Sequence, residues 1–418
     1  MPVEKIFKKT MKVSELTLLQ NWFERLAPIG ALADGGVTRM GYTDIEDEMH
    51  AMFAMFAREL GLHVDTDAFG NTFASFDGAP RTDVHLIGSH LDSVPHGGQH
   101  DGVAGVLAGL LVMKMCMDEQ FMPRVETVAF RCEESSAFDT ACVGSSLMLG
   151  LIDEAKTKKL KNERGENLYD VLRKRNDAPH PYPAPARFAD FLEVHIEQGR
   201  ILEERDVKVG VVTAIAAPYR FKVVLTGRQD HSGGTPMAMR RDALCGAAEV
   251  VLAAEETALS FKGIPLVATV GVVHNAPNAL NTVPGETELR VDVRGIEDAS
   301  ILRAVEQIQS KVRRIAARRR LEYRIETIAT YPPVDMDGTM RDAIERAAVT
   351  VDAPHLSMYS GAGHDAMRMA LFVPTGMIFI PCRGGISHNP DENVDLLDVA
   401  RGARVAYETL RELARNAS

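Results

Sequence analysis

Apolar residues recur along this chain in two alternating rhythms. The first sixty positions read as helical. Within 13–32, Leu16, Leu19, Phe23 and Leu26 fall three and four residues apart, the spacing of one helix face. TDIEDEMHAMFAMFARELG (43–61) predicts a second helix, with Thr43 and Asp44 as cap candidates and Gly61 as its stop. Short, continuous apolar runs then alternate with helical stretches. VHLIGSH (84–90), VETVAF (125–130), FLEVHI (191–196) and GMIFIP (376–381) read as buried strands, and 103–117 and 396–413 as helices. Val103, Val106, Leu107, Leu110 and Leu111 are expected on one face of the first of these. Such alternation predicts an α/β fold whose mixed, mostly parallel sheet is covered by helices.

The middle of the chain has another order. RFKVVLTG (220–227), LVATVGVV (266–273), ETELRVDVRG (286–295) and LEYRIETI (321–328) read as strands, with helices at 240–259 and 300–319. That is β-α-β-β-α-β, a ferredoxin-like unit. It places an inserted domain at 213–330 between two parts of a larger domain, 1–212 and 331–418.

Composition narrows the function. Lys plus Arg number 47 and Asp plus Glu 58, a net charge of −11. An acidic chain is a poor non-specific nucleic-acid binder, which needs a basic surface. No apolar run reaches the roughly 18 residues that span a bilayer, and no apolar stretch follows the basic amino terminus, so neither membrane nor secretory signal is expected. Five scattered cysteines without a CxxC pair read as reduced thiols, which implies a cytoplasmic protein.

Five imidazole or acidic residues lie just past the proposed parallel strands: His90, Asp101, Glu134, His195 and His388. Open α/β sheets place ligand sites at the carboxyl ends of strands. Imidazole and carboxylate donors suit zinc, manganese or cobalt. Five groups exceed what one tetrahedral ion with an open position needs, but suit two ions sharing a carboxylate. Asp101 lies among Gly97, Gly98 and Gly102, where the backbone bends freely, and is the chosen bridge. Asp92, two residues past His90, can orient that imidazole. Of the adjacent Glu133 and Glu134, one can bind metal while the other acts as general base. Spacing alone also fits surface histidines and a solvated acidic face.

The motifs GSHLDSVPHGGQHDGVAG, RCEESSAF, VHIEQGRIL, DHSGGTPMAMRRDA, NALNTVPGETELRVDVR, SGAGHDA and GISHNPDE occur in order, within a match that runs from GGVTRMGYT near residue 36 to the carboxyl terminus. They resemble the N-carbamoyl-L-amino-acid hydrolase, β-ureidopropionase and allantoate amidohydrolase family, a branch of the dinuclear metallopeptidase-like hydrolases. The resemblance implies that His90, Asp101 and His195 hold one ion, and Asp101, Glu134 and His388 the other. It implies that Glu133 activates water and later protonates the leaving amine. The inserted domain is implied to be a lid and dimerisation domain, with His231 crossing from a partner subunit in a homodimer to the scissile carbonyl. Asn281 and Arg294 are implied to hold the substrate carboxylate, Gln198 to touch the ureido group, and the Ser360–Gly361 loop to offer backbone donors. The activity implied is hydrolysis of the ureido C–N bond of an N-carbamoyl-L-amino acid. Allantoate is the alternative substrate, and an aminoacylase or dipeptidase reaction a more distant one, because His195 replaces the carboxylate more usual in peptidase relatives.

His96, His100, Ala137 and Arg200 depart from the common pattern, and so does Ala216–Ala217–Pro218 at the lid entry. They bear on substrate identity, and His100 on the hydrogen bonding of the bridge. Two non-catalytic readings compete: a binding protein with a dead site, and an RNA contact at Arg313, Arg314, Arg318, Arg319 and Arg320. The first requires loss of a ligand or of Glu133, and all are present. The second is weighed against a helix end whose dipole favours cations.

Overall fold

The computed structural model describes residues 13–79, 82–121, 123–175 and 185–416. In chain order the strands are β1 (His63–Thr66), β2 (Thr72–Ser75), β3 (Val84–His90), β4 (Val125–Phe130), β5 (Phe188–Ile196), β6 (Val209–Ile215), β7 (Ala217–Thr226) and β8 (Asp230–His231). They continue as β9 (Leu266–Ala276), β10 (Thr282–Val283), β11 (Glu286–Gly295), β12 (Glu322–Thr330), β13 (Val334–Asp335), β14 (His355–Ser360) and β15 (Thr375–Ile380). The chain divides into one unit of Met1–Thr213 with Met336–Ser418, and a second of Ala214–Asp335.

The first unit is built on a nine-stranded mixed sheet, ordered β1-β2-β4-β3-β5-β15-β6-β13, with β14 beside β6. Its centre is parallel: β4 with β3, β3 with β5, and β5 with β15. Toward both edges the pairing is antiparallel. Every residue of β3, β4 and β15 is buried, as befits strands covered on both faces. The register sets His90 opposite Phe130, and Ile380 opposite Ile196. The carboxyl ends of the four central strands therefore share one edge of the sheet.

Helix Val103–Asp118 differs from the expected one-faced helix. It is buried nearly all round, because it packs on the central strands on one side and against helices Val13–Leu26 and Leu396–Asn416 on the other. The first helix ends at Leu26, not near residue 32. Pro28 is the reason, since a proline disfavours helical geometry at the residue before it. The second helix runs Asp44–Glu59, and Thr43 makes no side-chain cap; its hydroxyl donates instead to the Met40 carbonyl at 2.7 Å.

In the second unit, four antiparallel strands are ordered β12-β7-β11-β9. Helices Ala243–Ser260 and Asp298–Arg319 cover one face. Along β11, Leu289, Val291 and Val293 point into that core with Phe221, Val223 and Leu225, while Glu288, Arg290, Asp292 and Arg294 alternate to the other face. The Asp242 side chain caps the first of these helices at Cys245 N, 2.9 Å away. A short ribbon pairs His231 with Thr282.

Candidate metal centre

Four segments leaving the carboxyl edge of the large sheet bring the predicted ligands together. His90 ends β3, Glu133 and Glu134 follow β4, His195 lies near the end of β5, and His388 follows β15. Asp101 sits in the turn before helix Val103–Asp118. Gly102 adopts φ +66°, and a Cβ there would come within 2.5 Å of His90 Nε2. Only glycine lets this turn approach the ligand so closely.

The predicted ligands form two groups: His90, Asp101 and His195, and Asp101, Glu134 and His388. Asp101 belongs to both. Its Oδ1 lies 3.1 Å from His195 Nε2, and its Oδ2 lies 3.1 Å from His388 Nε2. His388 Nε2 is also 3.0 Å from Glu134 Oε1.

The donor set fits divalent cations on three observations. Asp101 Oδ1 and His195 Nε2 are buried and face each other without a hydrogen bond. His90 and His195 commit their other ring nitrogens: Nδ1 of His90 donates to the Asp92 backbone carbonyl at 3.2 Å, with Asp92 Oδ1 3.3 Å away, and Nδ1 of His195 donates to the Ile196 carbonyl at 2.9 Å. Both Nε2 lone pairs are thereby turned toward the centre. Neither group contains a thiolate, which favours zinc, manganese or cobalt over softer ions.

Asp92 does more than orient His90. Its carboxylate accepts the backbone N–H groups of Glu133 at 2.9 Å and Glu134 at 3.0 Å. The paired glutamates are thus strapped to the end of β3, and their side chains diverge. Glu134 faces His388, whereas Glu133 Oε2 lies 4.0 Å from His90 Nε2.

Electrostatics separate the carboxylates. Burial opposes ionisation of Asp101, but the His195 and His388 imidazoles hold it well below the usual carboxylate range. Burial pushes Glu133 well above that range; His90 opposes this, and Glu134 and Asp365 add to it. Asp101 is a standing anion and Glu133 a group that can take up and release a proton, which is how acid and base roles divide between neighbouring carboxylates. Hydrogen bonds to Asp101 and Glu134 raise His388 to about 10.

Gln198, with φ +55°, donates from Nε2 to Asp101 Oδ2 at 3.0 Å. Its Oε1 is buried without a partner. The Ser360 hydroxyl is used within its own loop, against His364 Nε2 at 2.8 Å and the Ala362 backbone. Gly361 is exposed, with open space around it.

His231, Asn281 and Arg294 lie in the second unit. Ser232 N donates to the Asn281 carbonyl at 3.0 Å, so the histidine and asparagine segments are joined. The His231 side chain is exposed, and its Nδ1 accepts N–H groups from Gly233 and Gly234, each at 3.1 Å. Nε2 therefore carries the proton and is the outward donor. Arg294 and Arg220 share one partner, Asp292.

The departures from the family pattern also find places. His96 is a surface residue 3.5 Å from Asp34 and belongs to neither ligand group. His100 packs its ring 5.3 Å from Phe23; burial and Arg39 lower it to about 4, and it belongs to no ligand group. Ala137 joins a small core with Tyr42 and Phe138. Arg200 donates to the Gly384 carbonyl at 2.8 Å. Of the arginine cluster, Arg318 and Arg319 pair with Glu249, and Arg320 donates to the Ala238 carbonyl.

Several supporting residues escaped the sequence reading. The Cys142 thiol donates to Glu133 Oε1 at 3.1 Å. Glu193 accepts from Ser89 Oγ at 2.7 Å and Ala366 N at 2.9 Å, and forms a third candidate group with His195 and His364. Asp365, raised to about 8 by burial and by Glu193, accepts from Ser145 Oγ at 2.5 Å. Glu193 had a usable signal, because it lies two residues before His195 on one strand and so shares its face.

Known proteins share this arrangement of the chain. Peptidase family M20/M25/M40 matches residues 86–412. The chain belongs to that family. Within the M20 family it is 34% identical to an N-carbamoyl-L-amino-acid amidohydrolase of a Pseudomonas species, over 96% of this chain and 99% of that protein. It is 32% identical to an allantoate amidohydrolase of Bacillus subtilis, with the same coverage of 96% and 99%. A solved hydantoinase/carbamoylase family amidase from Burkholderia multivorans superimposes with a TM-score of 0.87 at 35% identity, covering 97% of this chain and 99% of that one. The M20 chain is thus placed in the branch of the carbamoyl and allantoate amidohydrolases.

Proposed function

We propose that this M20 hydrolase cleaves the ureido C–N bond of an N-carbamoyl-L-amino acid, releasing the amino acid, carbon dioxide and ammonia. The observation that carries the reading is Asp101, whose two oxygens each face a different histidine at 3.1 Å. That is the disposition of a carboxylate shared by two divalent ions, and zinc, manganese or cobalt is the chemistry its donors suit. Divalent ions held by His90, Asp101, Glu134, His195 and His388 would supply Lewis acidity and would lower the pKa of the attacking water.

The chain's own groups do the rest. Glu133, whose proton affinity is raised by burial, accepts the proton of the attacking water as its carboxylate. Water oxygen adds to the carbamoyl carbon, one C–N bond breaks with the proton on Glu133 passing to the leaving nitrogen, and the carbamic acid left behind loses carbon dioxide to free the second amine. His231 offers its Nε2–H to the carbonyl oxygen as negative charge grows there, the kind of preset donor worth about 2.7–4 kcal/mol when it acts on an oxyanion. Asn281 and Arg294 hold the substrate carboxylate, for which a guanidinium fork is suited. Gln198, with its unpaired Oε1, and the Ser360–Gly361 loop take the ureido group. Allantoate, a ureido compound that also carries a carboxylate, is the alternative substrate.

The inserted unit acts as a lid and dimerisation domain, so that His231 serves the catalytic unit of a second copy. An apolar surface supports this. Leu244, Leu252 and Leu259 are exposed along helix Ala243–Ser260, and Val267 and Val273 on the edge strand β9. The proposed location is the cytoplasm, in keeping with cysteines that are all free. No described helix is long and apolar enough to cross a membrane.

The test is ammonia release from N-carbamoyl-L-amino acids, N-carbamoyl-β-alanine and allantoate, after chelation and reloading with zinc, manganese or cobalt. Metal-dependent release from the carbamoyl amino acids is expected. Cleavage of N-acetyl amino acids or dipeptides, with no ureido substrate turned over, would replace this reading by an aminoacylase or dipeptidase. Arg294→Ala should raise KM for carboxylated substrates by on the order of tenfold or more, the loss of one charge-assisted pair. An unchanged KM would remove Arg294 from carboxylate binding.

A further inference from the structure

Two halves of the candidate centre are held in different ways. His90 and His195 are both 1% exposed and belong to strands paired on both sides. His388 has a side chain 48% exposed, sits at φ +53°, and lies on a loop without a strand to support it. Something other than the sheet must hold that loop against Asp101.

Glu392, four residues beyond His388, is buried and does this. Its Oε1 accepts the backbone N–H of His100 at 2.8 Å and of Asp101 at 3.0 Å. Its Oε2 accepts the hydroxyl of Ser387, the residue before His388, at 3.0 Å. Ser387 Oγ is in turn 3.3 Å from Asp101 Oδ2. The turn is shaped around this carboxylate, since a Cβ on Gly98 would lie 2.2 Å from it. One side chain thus clamps two ligand-bearing loops that are 291 residues apart at Asp101.

We propose that Glu392 is a positioning residue that registers the His388 loop to the Asp101 turn, and so sets retention of the ion at Asp101, Glu134 and His388, the more weakly held of the two. This rests on the dinuclear reading above. The first group shares Asp101, but its other two ligands sit on rigid strand ends with locked imidazoles, so it depends far less on the clamp. The second group depends on a loop, and outer contacts of this kind typically change metal affinity by about 10–100-fold.

The experiment titrates the full-length apoprotein with Co2+, reading visible absorption and bound metal per chain, with thermal unfolding measured in parallel. Wild type should bind two ions. Glu392→Ala should keep one ion close to wild-type affinity and weaken the other by on the order of 10–100-fold. Glu392→Gln, whose amide oxygen can still accept both N–H groups, should restore most of the second affinity. Two ions retained at wild-type affinity in Glu392→Ala, or an equal weakening of both, would overturn the proposal. Should Glu392→Ala not fold, Ser387→Ala decides: a selectively weakened second ion supports the clamp, and unchanged affinities refute it. Wild type binding fewer than two ions would instead overturn the dinuclear reading itself, so the two failures are distinguishable.

Discussion

Glu133→Gln is expected to bind both ions as wild type does and to lose on the order of 10²–10⁴-fold in kcat, the usual contribution of a positioned acid–base group. The physical argument is one of geometry and field together. The carboxyl is buried, held by the Cys142 thiol at 3.1 Å, and belongs to neither ligand group. Its amide replacement has nearly the same shape, and the main chain at this point is anchored by Asp92, so the ligands should stay in place. An amide, however, cannot take a proton from water and return it to a departing amine. Metal content per chain and ammonia release from an N-carbamoyl-L-amino acid, measured on the same sample, check both halves. Wild-type turnover would disqualify Glu133 as the base, and lost metal would make it a ligand instead.

Asp101→Asn should have the other large effect. The carboxamide offers one oxygen, whereas the native side chain presents two, toward His195 and toward His388. It also removes the standing negative charge that both imidazoles favour. No more than one ion per chain should remain bound. If the lost Lewis acidity is worth about 4 kcal/mol, kcat/KM should fall by about a thousandfold or more. The backbone contacts from Glu392 are untouched by this change, so the fold should survive it. Two ions still bound per chain would show that Asp101 is not the bridge.

Much of the centre was legible because its ligands sit where strands end. Four short, largely apolar runs predicted the parallel core, and the polar residues at or beyond their carboxyl ends marked the same sheet edge. The bridging aspartate could be picked out by the glycines around it. The antiparallel edges were not legible: β1 and β2 have four residues each, too few for alternation to show. Helix Gly338–Thr350 was missed although Met340, Ile344 and Ala347 lie on one face, because its buried face is mostly alanine and carries little apolar contrast. His100 stands beside the bridge, and the structure packs its ring against Phe23 while its backbone N–H meets Glu392.

What the sequence by itself determined was the local material: which runs must be strands or helices, and which residue types at their ends can bind cations. These follow from side-chain periodicity and donor chemistry, both readable over a few residues. Only the tertiary structure decided that one oxygen of Asp101 meets β5 and the other the loop after β15, that Cys142 holds Glu133, and that Glu392 ties the two loops together. Those relations join residues up to 291 positions apart, where chain spacing imposes no geometry, and the burial that separates Glu133 from Asp101 in acidity exists only once the sheet and its helices have closed around them.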